Sequence, residues 1–149
     1  MDNVFFEGDV LWSQIDANQH MRHTAYADFA VQARLNMLEK LGLSLSTLLQ
    51  AKIGPVLFKE ELLYLREIGM NDNIKVTAVV TKFRPDASRW SIRHELFRRD
   101  GTKAAIVNVD GSWIDMDKRK LTTLPDEFRK LFLDAPRSHD CIEEIPEPK

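Results

Sequence analysis

The 149-residue chain is 44% hydrophobic and 30% charged, which supplies enough apolar side chains for the core of one domain. Its formal net charge of -2 excludes the overall basic field that drives non-specific nucleic-acid binding. No run of about 20 apolar residues occurs, which excludes a conventional membrane-spanning helix. The one cysteine, Cys141, allows no internal disulfide and has no Cys/His ligand cluster around it. Met1 to Glu7 lacks a basic start and a long apolar stretch, so no secretory signal is expected and the expected location is cytoplasmic.

In chain order, Val10 to Ile15 reads as a first strand, with Leu11, Trp12 and Ile15 as its bulky residues. A polar segment follows, from Asp16 to His23. Thr24 to Leu41 is the strongest helix signal, because Tyr26, Phe29, Ala30, Ala33, Met37 and Leu41 recur at helical spacing. Thr24 is placed to cap it and Gly42 to stop it. Ala25, Ala27, Ala30 and Ala33 would let a sheet approach this helix closely. A short helix is expected from Ser44 to Gln50.

The remainder reads mostly as strand. Val56 to Leu65 is a long run. Ile74, Val76, Ala78 and Val80 alternate with polar residues, and so do Trp90, Ile92, His94 and Leu96. Asp100-Gly101 marks a hairpin turn. Ala104 to Asp115 is the last long strand, with a bulge expected at Gly111. Pro125 opens a short helix carrying Phe128, Leu131 and Phe132. Residues 134–149 hold three prolines and an excess of acid, which reads as a loose tail. Strands in hairpin sequence after one long helix imply an α+β class with an antiparallel sheet. One helix covers one face of that sheet, so its open face and edges call for a partner.

This order, with a polar loop before an alanine-rich helix, resembles the hot-dog thioesterases. In that fold a curved antiparallel sheet wraps around a long central helix. The resemblance spans roughly residues 4–133 and implies a single thioesterase-like domain over 1–133, with 134–149 as the acidic tail. Asp16-x-Asn18-x-His20, followed by Tyr26, is similar to the Asp-x-Asn-x-His segment of plant acyl-carrier-protein thioesterases. Asp, Asn and His of that segment lie in the active site of those enzymes. Tyr64-Leu65-Arg66-Glu67 resembles their Tyr-Arg-Arg-Glu stretch, whose Glu is implicated in catalysis. The 4-hydroxybenzoyl-CoA thioesterase group shares the Asp. Two departures from the plant pattern stand out: Met21-Arg22-His23 follows the His, and Ile68 stands where the plant enzymes have Cys.

The resemblance implies hydrolysis of acyl thioesters of CoA or of an acyl-carrier protein, by a homodimer or homotetramer without a cofactor. Such hydrolysis needs an activated water or a nucleophile, and donors for the oxyanion. Asp16 is the candidate base or nucleophile, against its ordinary role in a turn before a helix. Asn18 is a candidate to orient water, or it is a simple Asx-turn residue. His20 is a candidate base or acid, or a histidine satisfied by a local backbone bond. Glu67 joins them only if the fold brings it near; otherwise it is a surface glutamate.

The oxyanion donors are expected in the backbone near His23 and Thr24, at the helix start. Arg84, Arg89, Arg93, Arg98, Arg99 and Lys103 cluster in sequence around two strands. Arg84 and Arg89 are the candidates for carrier phosphates, against solvated surface charge. Asp16, His20 and His23 fit no standard zinc spacing, so no metal is expected. Two other functions compete: a hot-dog 3-hydroxyacyl dehydratase or hydratase, and a non-catalytic acyl-CoA-binding module.

Overall fold

The computed structural model describes residues 1–145. Strand β1 (Val4–Asp9) leads through a 3-10 turn (Trp12–Gln14) to helix α1 (Ala25–Lys40) and short helix α2 (Leu45–Gln50). Strands β2 (Ile53–Tyr64), β3 (Asn73–Thr77), β4 (Val79–Phe83), β5 (Trp90–Phe97), β6 (Lys103–Asp115) and β7 (Lys120–Thr122) follow. Helix α3 (Asp126–Leu133) and strand β8 (Arg137–Glu143) complete the order.

Helix α1 occupies the position its periodicity implies. Ala25, Ala30, Ala33 and Met37 are fully buried, so the sheet closes on the helix where its side chains are small. Its C-terminus is closed as expected. Gly42 takes φ +93°, which a side chain with a Cβ rarely adopts. There Leu43 N–H reaches Leu38 O at 2.8 Å and Gly42 N–H reaches Glu39 O at 3.0 Å, a Schellman arrangement. Ser44 caps α2 by accepting from Thr47 N–H at 3.2 Å. The Asp100-Gly101 hairpin is present, with Arg98 N–H on Thr102 O at 2.9 Å.

All eight strands form one sheet. β6 lies between β2 and β5. β3 and β4 run end to end, with Ala78 between them, and both pair with β5. β1 extends the sheet beside β3, and β8 beside β4. Every pairing is antiparallel except β4–β8. The α+β class and the sheet around α1 are as expected.

Four local expectations are corrected. The first strand is Val4–Asp9, not Val10–Ile15. Gln14 Oε1 accepts Leu11 N–H at 2.7 Å and folds the later segment into a turn, leaving Trp12 84% exposed. β2 does not form a hairpin with β3. It pairs with β6 from Ile53↔Asp115 to Tyr64↔Ala105, which joins the two longest strands. The bulge lies in β2 at Phe58, between Leu57↔Gly111 and Lys59↔Asp110. Gly111 instead makes room: a Cβ there would overlap the Trp90 ring and lie 2.5 Å from Val56 O.

The fourth correction is the tail. Arg137–Glu143 is a strand, docked by Val80 N–H on Pro136 O at 2.8 Å and Glu144 N–H on Phe83 O at 2.7 Å. Glu144 adds ion pairs to Lys82 at 2.7 Å and to Arg84 at 2.9 Å. Its acid is therefore part of what fastens the segment rather than a sign of looseness. Residues 146–149 of the expected tail lie outside the described residues.

In the core His94 and Arg34 form a polar pair. His94 Nδ1–H donates to Thr77 O at 3.0 Å, and its Nε2 accepts from the Arg34 guanidinium at 2.9 Å. Burial, and then the Arg34 charge, lower the His94 pKa to about 3. The unfolded chain therefore binds a proton below pH about 6.5 that the folded chain refuses until about 3. Stability from this residue is complete above pH 6.5 and is lost as pH falls toward 3. Denaturant unfolding should show a loss of about 2 kcal/mol from this group between pH 7.5 and pH 5. His94→Gln, which does not titrate, should flatten that slope. An unchanged slope would place the acid sensitivity elsewhere.

Candidate active site

The polar loop before α1 is built around Asp16. Its Oδ1 accepts the N–H groups of Asn18 at 2.8 Å and His20 at 3.2 Å, an Asx-turn. Asp16 N–H bonds His20 O at 2.9 Å, and Gln19 turns the chain with φ 64°. Ile15 and Met21 then bridge across the base of the loop.

The loop is fastened to the crossover between β2 and β3. Met21 N–H donates to Ile68 O at 2.6 Å, and His20 bridges Gly69. Met21 is 3% exposed and Ile68 is fully buried, so the strap has an apolar anchor. This places His20 Nε2 3.4 Å from Glu67 Oε2. Both side chains are largely solvated, at 42% and 65% exposure, so the pair positions more than it stabilises. Arg98 reaches the backbone carbonyl of Glu67 at 3.0 Å and helps hold that segment.

Asp16, His20, His23 and Glu67 line one open cleft of about 330 Å³. Tyr26 and Tyr64 wall it, edge to face at 5.0 Å, and Tyr64 Oη–H donates to His23 O at 3.3 Å. Burial, then the neighbouring Tyr64 and Asp16, raise the Tyr26 pKa, so its phenol stays protonated and available as a donor. The Thr24 hydroxyl makes no capping bond, and Thr24 itself has helical dihedrals. Closure of the first-turn N–H groups of α1 by a capping side chain is therefore absent.

Not every sequence candidate is in the cleft. Asn18 is exposed and reaches the site through its backbone, and neither it nor Thr24 is among the lining residues. Arg84 and Arg89 line a separate cavity of about 180 Å³ with Lys82, Asp110 and Glu144. They sit by the start of β5, whereas Arg98 and Arg99 follow its end, roughly 23 Å away along the strand. The basic residues are thus not one cluster, and several meet acids: Arg84 with Glu144, Arg98 with Asp100, and Lys103 with Glu95. The cleft also includes Met21, Leu65 and Arg66, to which sequence reasoning gave no role. Among the described residues no three His, Cys, Asp or Glu side chains are grouped to hold a metal.

A sequence profile of the thioesterase-like superfamily matches residues 10–132. The chain belongs to the thioesterase-like superfamily. Solved structures agree on the hot-dog fold. A hypothetical protein from Staphylococcus aureus in complex with CoA has TM-score 0.80 and 23% identity, over 98% of this chain and 90% of that one. A DHNA-CoA thioesterase from Staphylococcus aureus has TM-score 0.79 and 21% identity, over 86% and 87%. A 1,4-dihydroxy-2-naphthoyl-CoA thioesterase from Synechocystis has TM-score 0.76 and 17% identity, over 87% and 94%. A search of curated protein sequences found no match. The superfamily match takes in Asp16, His20 and Glu67, and so the whole loop and strap.

The Asx-turn gives Asp16 a structural task that can be separated from any chemical one. Asp16→Asn keeps an oxygen acceptor, whereas Asp16→Ala removes it. Asp16→Ala should lower the unfolding free energy by about 1 kcal/mol and speed amide exchange at Asn18 and His20, with Asp16→Asn near wild type. Equal exchange in both variants would show that the turn does not depend on this side chain.

Proposed function

We propose that this member of the superfamily hydrolyses an acyl thioester of CoA or of an acyl-carrier protein. The observation that carries the reading is Asp16 gathered with the His20–Glu67 pair in one cleft at the start of α1. Oδ1 of Asp16 is taken by the loop backbone, so Oδ2 is the oxygen left to face substrate or water. Asp16 acts as general base on a water, and His20, oriented by Glu67, shares that proton and meets the departing thiolate. Backbone N–H groups near His23 and Thr24 receive the oxyanion, aided by the helix dipole. Asn18 contributes by its place in the turn. The carrier phosphates are assigned to the cavity of Arg84 and Arg89. There Lys82, Arg84 and Arg89 set three cations against two acids, Asp110 and Glu144.

The same reading includes a homo-oligomer. Among the described residues the outer edge of β2 pairs with nothing, although β2 has twelve residues and exposes Leu57, Phe58, Leu63 and Tyr64. A long apolar edge invites another strand, and a second β2 in antiparallel register is the matching one. Light scattering at micromolar concentration should give a dimer or a tetramer; a clean monomer removes the assembly.

Asp16→Asn should leave the fold intact and lower kcat by on the order of 100-fold or more against the best thioester. His20→Ala and Glu67→Gln should slow turnover by comparable or smaller factors. Water labelled with ¹⁸O separates the roles of Asp16 in a single turnover. Label in the Asp16 carboxylate requires an acyl-enzyme anhydride opened on the Asp16 side, whereas a base sends the label only into the product acid. Wild-type turnover by Asp16→Asn would instead favour an acyl-thioester-binding module.

A further inference from the structure

A third cavity, of about 170 Å³, lies between α1 and the sheet, away from the cleft. Its walls are almost wholly apolar, with Leu38, Ile92, Trp113 and Phe132 among them. A dry apolar cavity of about 150 Å³ holds one benzene, so this one suits a single ring or about six carbons. Its mouth is at Val31 and Leu57, which are 38% and 41% exposed.

One wall is a cation. Arg34 is 6% exposed and lines this cavity. Its only hydrogen bond among the described residues is the one from Nη1 to His94. His94 stays neutral and gives no counter-charge. The acid that Arg34 senses is Glu60, on exposed β2, which forms no ion pair with it among the described residues. Among the described residues Nε and Nη2 meet no protein acceptor. Trp90, which also lines the cavity, has a buried Nε1–H without a partner among the described residues. A buried cation without a paired acid is costly, and on the wall of an apolar cavity it points to a ligand that supplies the acid.

We propose that this cavity binds a small carboxylate, an apolar body of about six carbons or one ring whose charged end meets Arg34. The site itself stands apart from the thioesterase reading. A further step deepens the thioesterase reading and depends on it and on the β2 dimer. About 14 Å of helix separates Ala25, beside the cleft, from Arg34, too far for a short acyl group within one chain. Antiparallel β2 pairing centred on the middle of the strand would set Pro55 and Leu57 of one protomer near the cleft end of β2 of the other. The carboxylate is then the far end of an acyl group whose thioester lies in the partner's cleft, and Arg34 selects it.

Trp90 and Trp113 line the cavity, so indole fluorescence reports its occupation. Hexanoate, 1-hexanol and hexylamine are titrated into the wild-type protein at neutral pH. Hexanoate should bind about tenfold or more tightly than either of the others, the scale of one charge-assisted pair. Arg34→Met should erase that preference, and Arg34→Lys should retain part of it. Equal binding of the three probes, or no fluorescence response, overturns the site on wild-type protein alone, whether or not a variant folds.

The acyl assignment is tested by hydrolysis of adipoyl-CoA against hexanoyl-CoA. The first should be preferred about tenfold in kcat/KM by wild type, and not by Arg34→Met. Hexanoate binding with neither thioester cleaved overturns the acyl assignment and leaves the site standing. Cleavage of both at equal rates overturns the acyl assignment.

Discussion

Met21 donates its N–H to Ile68 O while both side chains are sealed in the core. On this strap depends almost everything chemical about the chain. Residues 16–19 are exposed and mostly polar and would have no fixed place by themselves. Burying Met21 and Ile68 contributes on the order of 2 kcal/mol each, far more than the solvated His20–Glu67 pair can. The apolar anchor therefore sets the geometry, and the polar pair inherits it. The order of causes runs from core packing to loop placement to the convergence of Asp16, His20 and Glu67.

Helix α1 imposes the second constraint. Its alanines let the sheet close around its first half, which leaves little space there. Farther along, Arg34 enters the same core and is tolerated because His94 and Thr77 form a short chain of hydrogen bonds with it. That chain satisfies His94 but leaves most of the guanidinium idle. A hydrophobic residue of similar volume would meet no such desolvation cost. The arrangement makes sense if the position is kept for recognition rather than stability, which fits its place on a cavity wall.

Much of this was legible in the sequence, for identifiable reasons. Helix α1 announced itself because its 3.6-residue period and its Gly42 stop are local signals. The Asp16 loop was legible because its position between a bulky segment and that helix is local too. Glu67 was reached only through resemblance, since no spacing connects it with residue 20. Leu11 and Trp12 misplaced the first strand, because bulk implies burial and here it is solvent-facing. The β2–β6 pairing joins residues about 50 apart, beyond any periodic pattern, and the hairpin order failed for that reason. The tail misled because its acids were counted as charge, whereas Glu144 spends its charge on Lys82 and Arg84. The Arg34–His94 pair spans 60 residues, and either residue alone reads as ordinary.

The edge of the sheet and the openness of the cleft are one problem rather than two. Tyr64 and Leu65 wall the cleft and also end, or directly follow, the strand whose outer edge is free. In a single chain the cleft is open to water, where an ion pair or a positioned carboxylate is weakened by the high dielectric. A partner strand along β2 would satisfy the free backbone groups and cover the apolar side chains. It would also exclude water from one side of the cleft, which would strengthen the backbone donors proposed for the oxyanion. The same contact would carry the mouth of the Arg34 cavity toward the other cleft. Assembly, catalysis and acyl selection then draw on one strand. A change at its exposed face should disturb all three together, whereas a change at Asp16 or Arg34 should disturb one.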